Sequence, residues 1–367
     1  MKKLYFALSL LACMTLFNAC STDVELYTDY KDVAIIYGLL DHQADTNFIK
    51  ITRAFCGTND DPINAHEVAL IADSSNYPGK LDARLVELKS TIGSQYEPTG
   101  RELVLDTMTI HDKEEGTFYS PDQKVYYTTE QLNASNNGSR YKYRLIVVKP
   151  DGDTVTAQTT MVGDEEFLIL SNSVDFQLAH SDRMGRIVFK AAGMASMYDI
   201  KMQFNYREQL AGQEMKYKNV SCSFGTKSLY EYPEVEYLEN TYYQEYSKNL
   251  LFNALEDAIG SDTVVNFNHP NVVRYFDSFV IFISAGGDEL NYYNSVYQAQ
   301  LDSPISLVST FTSIEGGYGL FSSRTAIKKA VRLSSKALRD LYSKESWGFR
   351  ESRSQKIFVD EIKNSYL

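Results

Sequence analysis

The sequence YKYRLIVVKPDGDTVTAQTTM, residues 141–161, gives the clearest indication of the fold. It contains two segments in which every second residue suits a protein core, separated by an Asp151-Gly152 pair. Alternation with a period of two predicts strands that bury one face, and Asp-Gly is a favoured two-residue turn. The inward positions are Tyr141, Tyr143, Leu145 and Val147, then Val155, Ala157, Thr159 and Met161. The segment therefore predicts a β-hairpin.

Shorter β-like segments precede this hairpin. Residues 33–40 (VAIIYGLL) form a continuous apolar run, and residues 47–55 (NFIKITRAF) alternate between apolar and polar residues. The same alternation recurs at Leu81, Ala83 and Leu85. About seven short strands within about 130 residues are typical of an immunoglobulin-like or fibronectin-like sandwich. We therefore predict a mainly β protein with such a β-sandwich over residues 32–163.

The sequence changes character after an acidic run at residues 163–166 (GDEE), where we place a domain boundary. Strand-like segments continue beyond it, at residues 187–189, 200–206, 215–224 and 279–283. Residues 242–259 (YYQEYSKNLLFNALEDAI) instead have the period of a helix. Its apolar face would contain Tyr243, Leu250, Leu251, Ala254, Leu255, Ala258 and Ile259, and Gly260 is a typical stop.

Two further helices complete the predicted second domain. One covers residues 288–300 with Asp288 as its cap, and a short one ends at Tyr342 with Ser334 or Ser335 as its cap. Residues 164–349 are therefore predicted to form a β-rich domain with two or three packed helices. Residues 350–367 are predicted to be a C-terminal tail.

The N-terminus has the pattern of an export signal. Two lysines precede an apolar run at residues 4–17 (LYFALSLLACMTLF), which is shorter than the roughly 20 residues that cross a membrane as a helix. The run ends at Ala19-Cys20, and a small residue before a cysteine is typical of bacterial lipoprotein signals. We predict that residues 1–19 are removed and that Cys20 carries a lipid. The alternatives are cleavage before Cys13, which leaves a shorter apolar run, and an ordinary signal peptide that releases a periplasmic protein.

Charge and cysteine content narrow the environment of the mature chain. Residues 20–31 form a polar, acidic tether. The formal net charge of the full sequence is −12, and loss of Lys2 and Lys3 with the signal makes it more negative, which argues against nucleic acid or an anionic lipid surface as a partner. Cys56 and Cys222 are the other cysteines of the mature chain. Both a disulfide between them and two buried thiols stay open.

Several segments together resemble a known family. They are IYGLLD at residues 36–41, FIKI at 48–51, NA at 64–65, FVIFISAGGDELNYYNS at 279–295, FTSIEGGYGLFSSR at 311–324 and WGF at 347–349. This combination is similar to a family of Bacteroidota lipoproteins of unknown function, whose genes often lie beside those of TonB-dependent outer-membrane receptors. The resemblance implies an outer-membrane location and an accessory role in uptake, and it implies no catalytic residues. Asp23 and Glu25 resemble the surface-export signals of lipoproteins in that phylum, which favours the cell surface over the periplasmic face.

The sequence contains no strong catalytic or metal-binding motif. The histidines His42, His66, His111, His180 and His269 are isolated, and the Gly316-Gly317-Tyr318-Gly319 run lacks the lysine of a phosphate-binding loop. We therefore expect no metal and no cofactor, and a tight backbone path at the glycine run. His111-Asp112 is expected to lie in an exposed loop.

Paired acids and tyrosines leave two alternatives open. The acidic pairs Asp60-Asp61, Glu114-Glu115, Glu256-Asp257 and Asp288-Glu289 would serve a two-carboxylate glycoside hydrolase only if a cleft brought two of them together. The chain has 27 tyrosines and one tryptophan, Trp347, and tyrosine suits both strands and binding surfaces. Two tyrosine groups on predicted helices suit packing better than a sugar platform: Tyr242, Tyr243 and Tyr246, and Tyr292, Tyr293 and Tyr297.

These observations favour a non-enzymatic, lipid-anchored outer-membrane protein of unknown ligand. The lead hypothesis is an accessory or ligand-binding partner of a TonB-dependent uptake receptor. The alternatives are a structural or adhesive surface subunit, for which exchangeable edge strands would be expected, and the two-carboxylate hydrolase.

Overall fold

The computed structural model of the protein describes residues 32–54, 65–71, 74–91, 95–111, 113–114, 116, 119–120, 122–179, 183–210, 212–260, 272–302 and 311–351. The predicted signal peptide and tether, including Cys20, lie outside the described residues, as do residues 352–367 of the predicted tail. The described part of the chain is mainly β, as predicted, with four α-helices. None of the described helices has both the length and the apolar character that a membrane span requires.

The strands of the first part are β1 (Ala34–Asp41), β2 (Asn47–Arg53), β3 (Asp82–Thr91), β4 (Glu97–Val104), β5 (Asp106–Ile110), β6 (Gln123–Thr128), β7 (Ser139–Val148) and β8 (Thr154–Thr160). Those of the second part are β9 (Leu168–Ile169), β10 (Ser173–Val174), β11 (Met184–Lys190), β12 (Met197–Leu210), β13 (Lys216–Ser228), β14 (Thr241–Ser247), β15 (Val272–Gly286), β16 (Ile314–Glu315) and β17 (Gly317–Leu333). The α-helices are α1 (Ala65–Ala69), α2 (Leu250–Gly260), α3 (Asp288–Asp302) and α4 (Ser335–Ser343), with 3-10 turns at Leu229–Glu231 and Glu345–Trp347.

The N-terminal part folds as a β-sandwich, as predicted. One of its sheets has the order β16-β8-β7-β3-β4, and the other is the β17-β1-β2-β6-β5 portion of a larger sheet. Both sheets contribute to one buried apolar cluster, which includes Ile36, Ile49, Leu85, Tyr126, Tyr143, Leu145 and Phe321. Strands β7 and β8 pair as the predicted hairpin, and Gly152 adopts a φ of 89° between them. The alternation along residues 141–161 therefore supplies much of this core.

The C-terminal part is β-rich with packed helices, also as predicted. Strands β13, β12 and β15 continue the larger sheet beyond β17. The sheet β14-β11-β9, with α2 and α4, contributes to a second buried cluster that includes Ile187, Phe189, Ile200, Phe204, Leu251, Leu255, Phe279, Ile281 and Leu341. Helix α4 starts where predicted, because Ser334 Oγ accepts the N–H of Ala337.

Two predictions about helix boundaries are wrong. The predicted helix over residues 242–259 fails at its start, since Thr241–Ser247 is strand β14, paired antiparallel with β11, and α2 begins only at Leu250. Threonine and tyrosine favour strands, and pairing with β11 outweighs the local helical period. Asp288 is the first residue of α3 and not its cap, because the Gly287 carbonyl accepts the N–H of Asn291.

Strand β17 belongs to both parts of the fold. Its first half pairs in parallel with β1, and its second half pairs antiparallel with β15. A side chain at Gly319, whose φ is 122°, would clash with the Ile36 carbonyl, so the predicted tight backbone path is confirmed. The domain boundary near residue 163 stays a prediction. Strands β16 and β17 lie beyond it in sequence, yet they complete both sheets of the sandwich.

Buried tyrosines stabilise the connections between strands. Four tyrosine hydroxyl groups accept backbone N–H groups, at distances of 2.8–3.1 Å. The pairs are Tyr126 with Leu81, Tyr143 with Asn133, Tyr198 with Ala192 and Tyr246 with Asp175. A buried N–H without a partner costs about 1–3 kcal/mol, so each hydroxyl satisfies a group that the sheets leave unpaired. Part of the high tyrosine content therefore stabilises the fold.

Candidate functional site

A shallow cleft opens on the outer face of the larger sheet, around β1, β2 and the first half of β17. We call it the β1–β2 cleft. Its volume is about 350 Å³, at the lower end of the roughly 300–1,000 Å³ of small-molecule sites. It is lined by Tyr37, Gly38, Leu39, Asp41, Ala44, Thr46, Asn47, Phe48, Leu320 and Arg324.

Strand alternation directs the lining side chains outwards. In β1, Ile36 and Leu40 are fully buried in the sandwich core, so the intervening Tyr37 and Leu39 face the other side of the sheet. The parallel register between β1 and β17 places Arg324 directly opposite Asp41. The cleft is therefore built on paired strands, whose positions are fixed by the core beneath them.

Two aromatic side chains form the apolar part of the cleft. Tyr37 is 47% exposed and Phe48 is 43% exposed. The Phe48 ring contacts Tyr127, with ring centroids 6.5 Å apart. The Tyr37 hydroxyl is hydrogen-bonded to Tyr293 of α3, and burial together with Tyr293 raises the pKa of Tyr37. Neighbouring rings thus hold both side chains while nearly half of each stays open to solvent.

The polar end of the cleft contains Asp41 and Arg324. Their closest atoms, Asp41 Oδ2 and Arg324 Nε, are 3.6 Å apart, beyond the usual hydrogen-bond length of about 2.7–3.2 Å. The Arg324 side chain is 56% exposed and the Asp41 side chain 15%. Asp41 is fixed from the other side, since Asp41 Oδ1 accepts the N–H of Gln43 and Asn47 Oδ1 accepts the N–H of Asp41. A carboxylate and a guanidinium therefore face the cleft with unused hydrogen-bonding capacity.

The loop between β1 and β2 is held by contacts with the chain beyond residue 163. His42 Nε2 lies 3.1 Å from Asp164 Oδ1, and Gln43 donates to Asp164 Oδ2 at 2.7 Å. Burial would raise the pKa of Asp164, but the hydrogen bonds from Gln43 and His42 hold it below its ordinary value. Gln131 also donates to the His42 carbonyl. These contacts fix the rim of the cleft.

Helix α3 is positioned beside the cleft by Glu289. Its Oε2 accepts hydrogen bonds from Thr159 Oγ1 at 2.9 Å and from Ser322 Oγ at 3.1 Å. Ser322 Oγ also accepts the N–H of Leu290, which satisfies one free donor of the helix start. Burial raises the pKa of Glu289 more than these hydrogen bonds lower it, and the charge of Asp288 adds to the increase. Glu289 thus joins α3 to β8 and β17.

A second depression, of about 330 Å³, is a weaker candidate for ligand binding. It lies between the loop around Asn136 and Asn137 and the segment Ala191–Ala195. Some of its polar groups already have partners in the protein: Asn137 donates to Glu165 and Glu166, and Glu166 pairs with Lys190 at 2.8 Å. Their hydrogen-bonding capacity is therefore used within the protein.

The histidines and cysteines that the sequence analysis considered lie partly within the described residues. Among the described residues, no group of three or more potential metal ligands is present. His42 pairs with Asp164, and His111 lies exposed as predicted, with Nδ1 2.6 Å from Asp122. Cys222 is a buried free cysteine, whose pKa is raised by burial. The side chain of His66 and all of Cys56, His180 and His269 lie outside the described residues, as does Asp112.

Among the described residues that line the β1–β2 cleft, the acidic residue is Asp41, and Glu114, Glu256, Asp257, Asp288 and Glu289 do not line it. Glu256 and Asp257 are exposed on α2, and Glu256 pairs with Lys344 at 2.8 Å. Asp288 is exposed, whereas Glu289 bonds to the scaffold. Asp60, Asp61 and Glu115 lie outside the described residues.

The predicted aromatic groups divide between core and surface. Trp347 is 3% exposed and stacks on Phe252, so it cannot form a sugar platform. Tyr246 is also buried, whereas Tyr292 and Tyr297 are exposed on α3. The sequence interpretation missed Tyr37, Phe48 and Arg324. A signal was available for Phe48, which occupies an outward position in the alternating segment NFIKITRAF.

Comparisons with known proteins give little further information. No family model matches the chain, and neither does any curated protein. Among solved structures, the chain is similar to the calcium binding domain CBD12 of CALX1.1, at 8% identity and a TM-score of 0.15. That match covers 81% of this chain and 99% of the other. A TM-score this low supports no argument about ligands, and the fold class rests on the strands described above.

Proposed function

We propose that this protein is a non-enzymatic, lipid-anchored outer-membrane protein that binds an extracellular ligand in the β1–β2 cleft. The observation that carries the proposal is the cleft itself. It exposes Tyr37 and Phe48 beside a loosely paired Asp41 and Arg324, on a sheet that the sandwich core supports. Aromatic faces combined with a few fixed polar groups are typical of binding sites. Among the described residues, Asp41 is the one carboxylate in the lining, whereas acid–base hydrolysis of a glycosidic bond uses a pair.

The proposed anchor rests on the N-terminal sequence. The short apolar run and the Ala19-Cys20 pair support cleavage before Cys20 and its lipidation. Metabolic labelling with an alkynyl fatty acid tests this directly. We expect the wild type and Cys13→Ala to be labelled and Cys20→Ala to lose the label. Labelling of Cys20→Ala would show that the anchor is elsewhere.

The proposed partner is a TonB-dependent uptake receptor. The support is the resemblance to Bacteroidota lipoproteins encoded beside such receptors, together with the proposed outer-membrane location. The test is affinity purification of the tagged full chain from detergent-solubilised outer membranes, with Cys20→Ala as the unanchored control. We expect a TonB-dependent receptor to co-purify with the wild type and to be depleted with the control. Recovery of the wild type without a receptor would contradict the partnership.

The proposed face of the membrane is the cell surface, on the basis of Asp23 and Glu25. Protease added to intact cells should degrade the protein, and a periplasmic protein should survive in the same cells. Protection of both proteins until the outer membrane is permeabilised would place the chain on the periplasmic face.

A further inference from the structure

The chemistry of the β1–β2 cleft points to a particular class of ligand. Its apolar part is made of two rings, Tyr37 and Phe48, with Leu39 among the lining residues. Rings of this kind offer a flat apolar surface at a low cost in side-chain entropy. A ligand that packs there needs a flat apolar face of its own.

The polar end of the cleft is balanced in charge. Asp41 would repel an anion bound beside it, and Arg324 would repel a cation. Asp41 accepts hydrogen bonds, whereas Arg324 only donates them. The matching ligand group is therefore neutral and both donates and accepts, as a pair of neighbouring hydroxyl groups does. A hydroxyl group of the ligand can bond to either side chain without displacing a tight ion pair, because the closest atoms of Asp41 and Arg324 are 3.6 Å apart.

Contacts within the protein hold the lining of the cleft in place. Asn47 is 3% exposed and holds the backbone of Asp41, with its Oδ1 2.7 Å from the Asp41 nitrogen and its Nδ2 3.1 Å from the Asp41 carbonyl. Tyr293 holds Tyr37, and Tyr127 lies against Phe48. A rigid site loses little conformational entropy on binding, which matters most for ligands that bury a small area.

We propose that the β1–β2 cleft binds a neutral saccharide, with the C–H face of a sugar ring on Tyr37 and Phe48 and neighbouring hydroxyl groups on Asp41 and Arg324. A pyranose ring combines a flat apolar face with adjacent hydroxyl groups at its rim, so it satisfies both ends of the cleft at once. The shallow opening suits a segment of a longer chain. This inference rests on the proposed function, since it names the ligand of the same site.

The test is isothermal titration calorimetry on the purified full chain in detergent. The probes are neutral oligosaccharides (maltohexaose, cellohexaose, xylohexaose and mannohexaose), an anionic oligogalacturonate and a cationic chitosan oligomer. We expect at least one neutral oligosaccharide to bind and both charged ones to bind more weakly. Phe48→Ala and Arg324→Gln should each weaken that binding about tenfold, from the loss of a ring face or of charged hydrogen bonds.

Tyr237→Ala is the matched control, because Tyr237 is 93% exposed and does not line the cleft. It should leave the affinity unchanged, and thermal unfolding should show that all three variants are folded. Binding by none of the neutral probes, or by the charged probes alone, would overturn the inference. The inference is also overturned if Phe48→Ala and Arg324→Gln bind the neutral oligosaccharide as tightly as the wild type does, since the binding site would then be elsewhere. Co-purification of the receptor distinguishes failure of this inference from failure of the proposed function. If a TonB-dependent receptor co-purifies but no neutral saccharide binds, only the ligand class is refuted.

Discussion

Glu87, which is buried in strand β3 of the sandwich, and Glu289, which is half-buried beside the β1–β2 cleft, differ in their hydrogen-bonding partners. Glu87 is 3% exposed and accepts hydrogen bonds from Tyr143, Asn133 and Thr99, with the Arg101 guanidinium 3.3 Å away. Burial would raise the pKa of Glu87, but these donors and the Arg101 charge hold it below its ordinary value. Glu289 has two hydroxyl donors, and burial raises its pKa.

The difference shows that hydrogen-bonding partners, and not burial alone, decide whether the charged form of such a carboxylate stabilises the fold. Glu87 stabilises the sandwich in its charged form. The charged form of Glu289 lowers stability where α3 is joined to β8 and β17, and α3 also contributes Tyr293 to the cleft.

The largest expected effect follows from Glu87→Ala. The substitution leaves the Tyr143 hydroxyl, the Asn133 amide and Arg101 without their shared acceptor. We expect a loss of about 3 kcal/mol in the free energy of unfolding. Urea denaturation followed by circular dichroism measures it, with Glu256→Ala on the exposed face of α2 as the control. A loss equal to that of the control would show that the Glu87 contacts are not stabilising.

Tyr143→Phe is a narrower change in the same network. It removes the hydroxyl that donates to Glu87 at 2.6 Å and accepts the N–H of Asn133 at 2.8 Å. Tyr143 is fully buried, so water cannot replace either bond at low cost, and we expect a loss of about 2 kcal/mol. Tyr237→Phe, at an exposed position, should change the free energy of unfolding by less than about 0.5 kcal/mol. Equal losses for the two variants would contradict the structural role of the Tyr143 hydroxyl.

Part of this network is visible in the sequence. The alternation along residues 141–161 correctly predicts that Tyr143, Leu145 and Val147 face the core, because strand geometry fixes the period. It does not predict the partners of Tyr143. Glu87 and Asn133 lie 56 and 10 positions away in sequence, and only the packing of three segments brings them together. The helix assigned to residues 242–259 failed at its start for the same reason, since pairing with β11 is not encoded locally.

The candidate site was harder to predict than the fold. Asp41 and Arg324 meet because β17 pairs in parallel with β1, across nearly the whole length of the chain. The pattern FTSIEGGYGLFSSR predicts tight backbone packing, but not which strand lies against it. The exposure of Tyr37 was hidden by the run VAIIYGLL, which suggests a strand covered on both faces. Only the structure shows that one face is open.

The two glutamates should give opposite pH dependences. Glu289 keeps its proton in the folded state at pH values where an unfolded glutamate, with an ordinary value of 4.5, has lost it. Its contribution to stability therefore falls as the pH rises from about 4.5 to its folded pKa. For Glu87 the folded pKa is the lower one, so its contribution is complete above about 4.5 and is lost as the pH falls towards the folded pKa.

Glutamine variants measure how the contribution of each glutamate to stability depends on pH. Relative to the wild type, Glu289→Gln should gain stability as the pH rises above about 4.5 and level off above the folded pKa of Glu289. The deficit of Glu87→Gln should shrink as the pH falls below about 4.5. Thermal or urea unfolding between pH 3 and pH 7 gives both curves, with pH values chosen about the ordinary glutamate pKa. Parallel curves for the two variants would contradict the contrast between the sites.

Asp288→Asn should have the smallest effect on stability, and it tests one cause of the raised pKa of Glu289. Asp288 is exposed in the first turn of α3, and its charge raises the pKa of Glu289. Removing that charge should bring the pKa of Glu289 closer to its ordinary value and narrow the pH window in which stability falls. The same charge interacts favourably with the N-terminus of the helix, by about 0.3–1 kcal/mol, so the net change in stability at neutral pH should stay within about 0.5 kcal/mol.

The decisive measurement is the double variant Asp288→Asn/Glu289→Gln. If Asp288 acts through Glu289, Asp288→Asn should alter the pH profile only when Glu289 is present, and an equal change in both backgrounds would show that Asp288 acts on the helix alone.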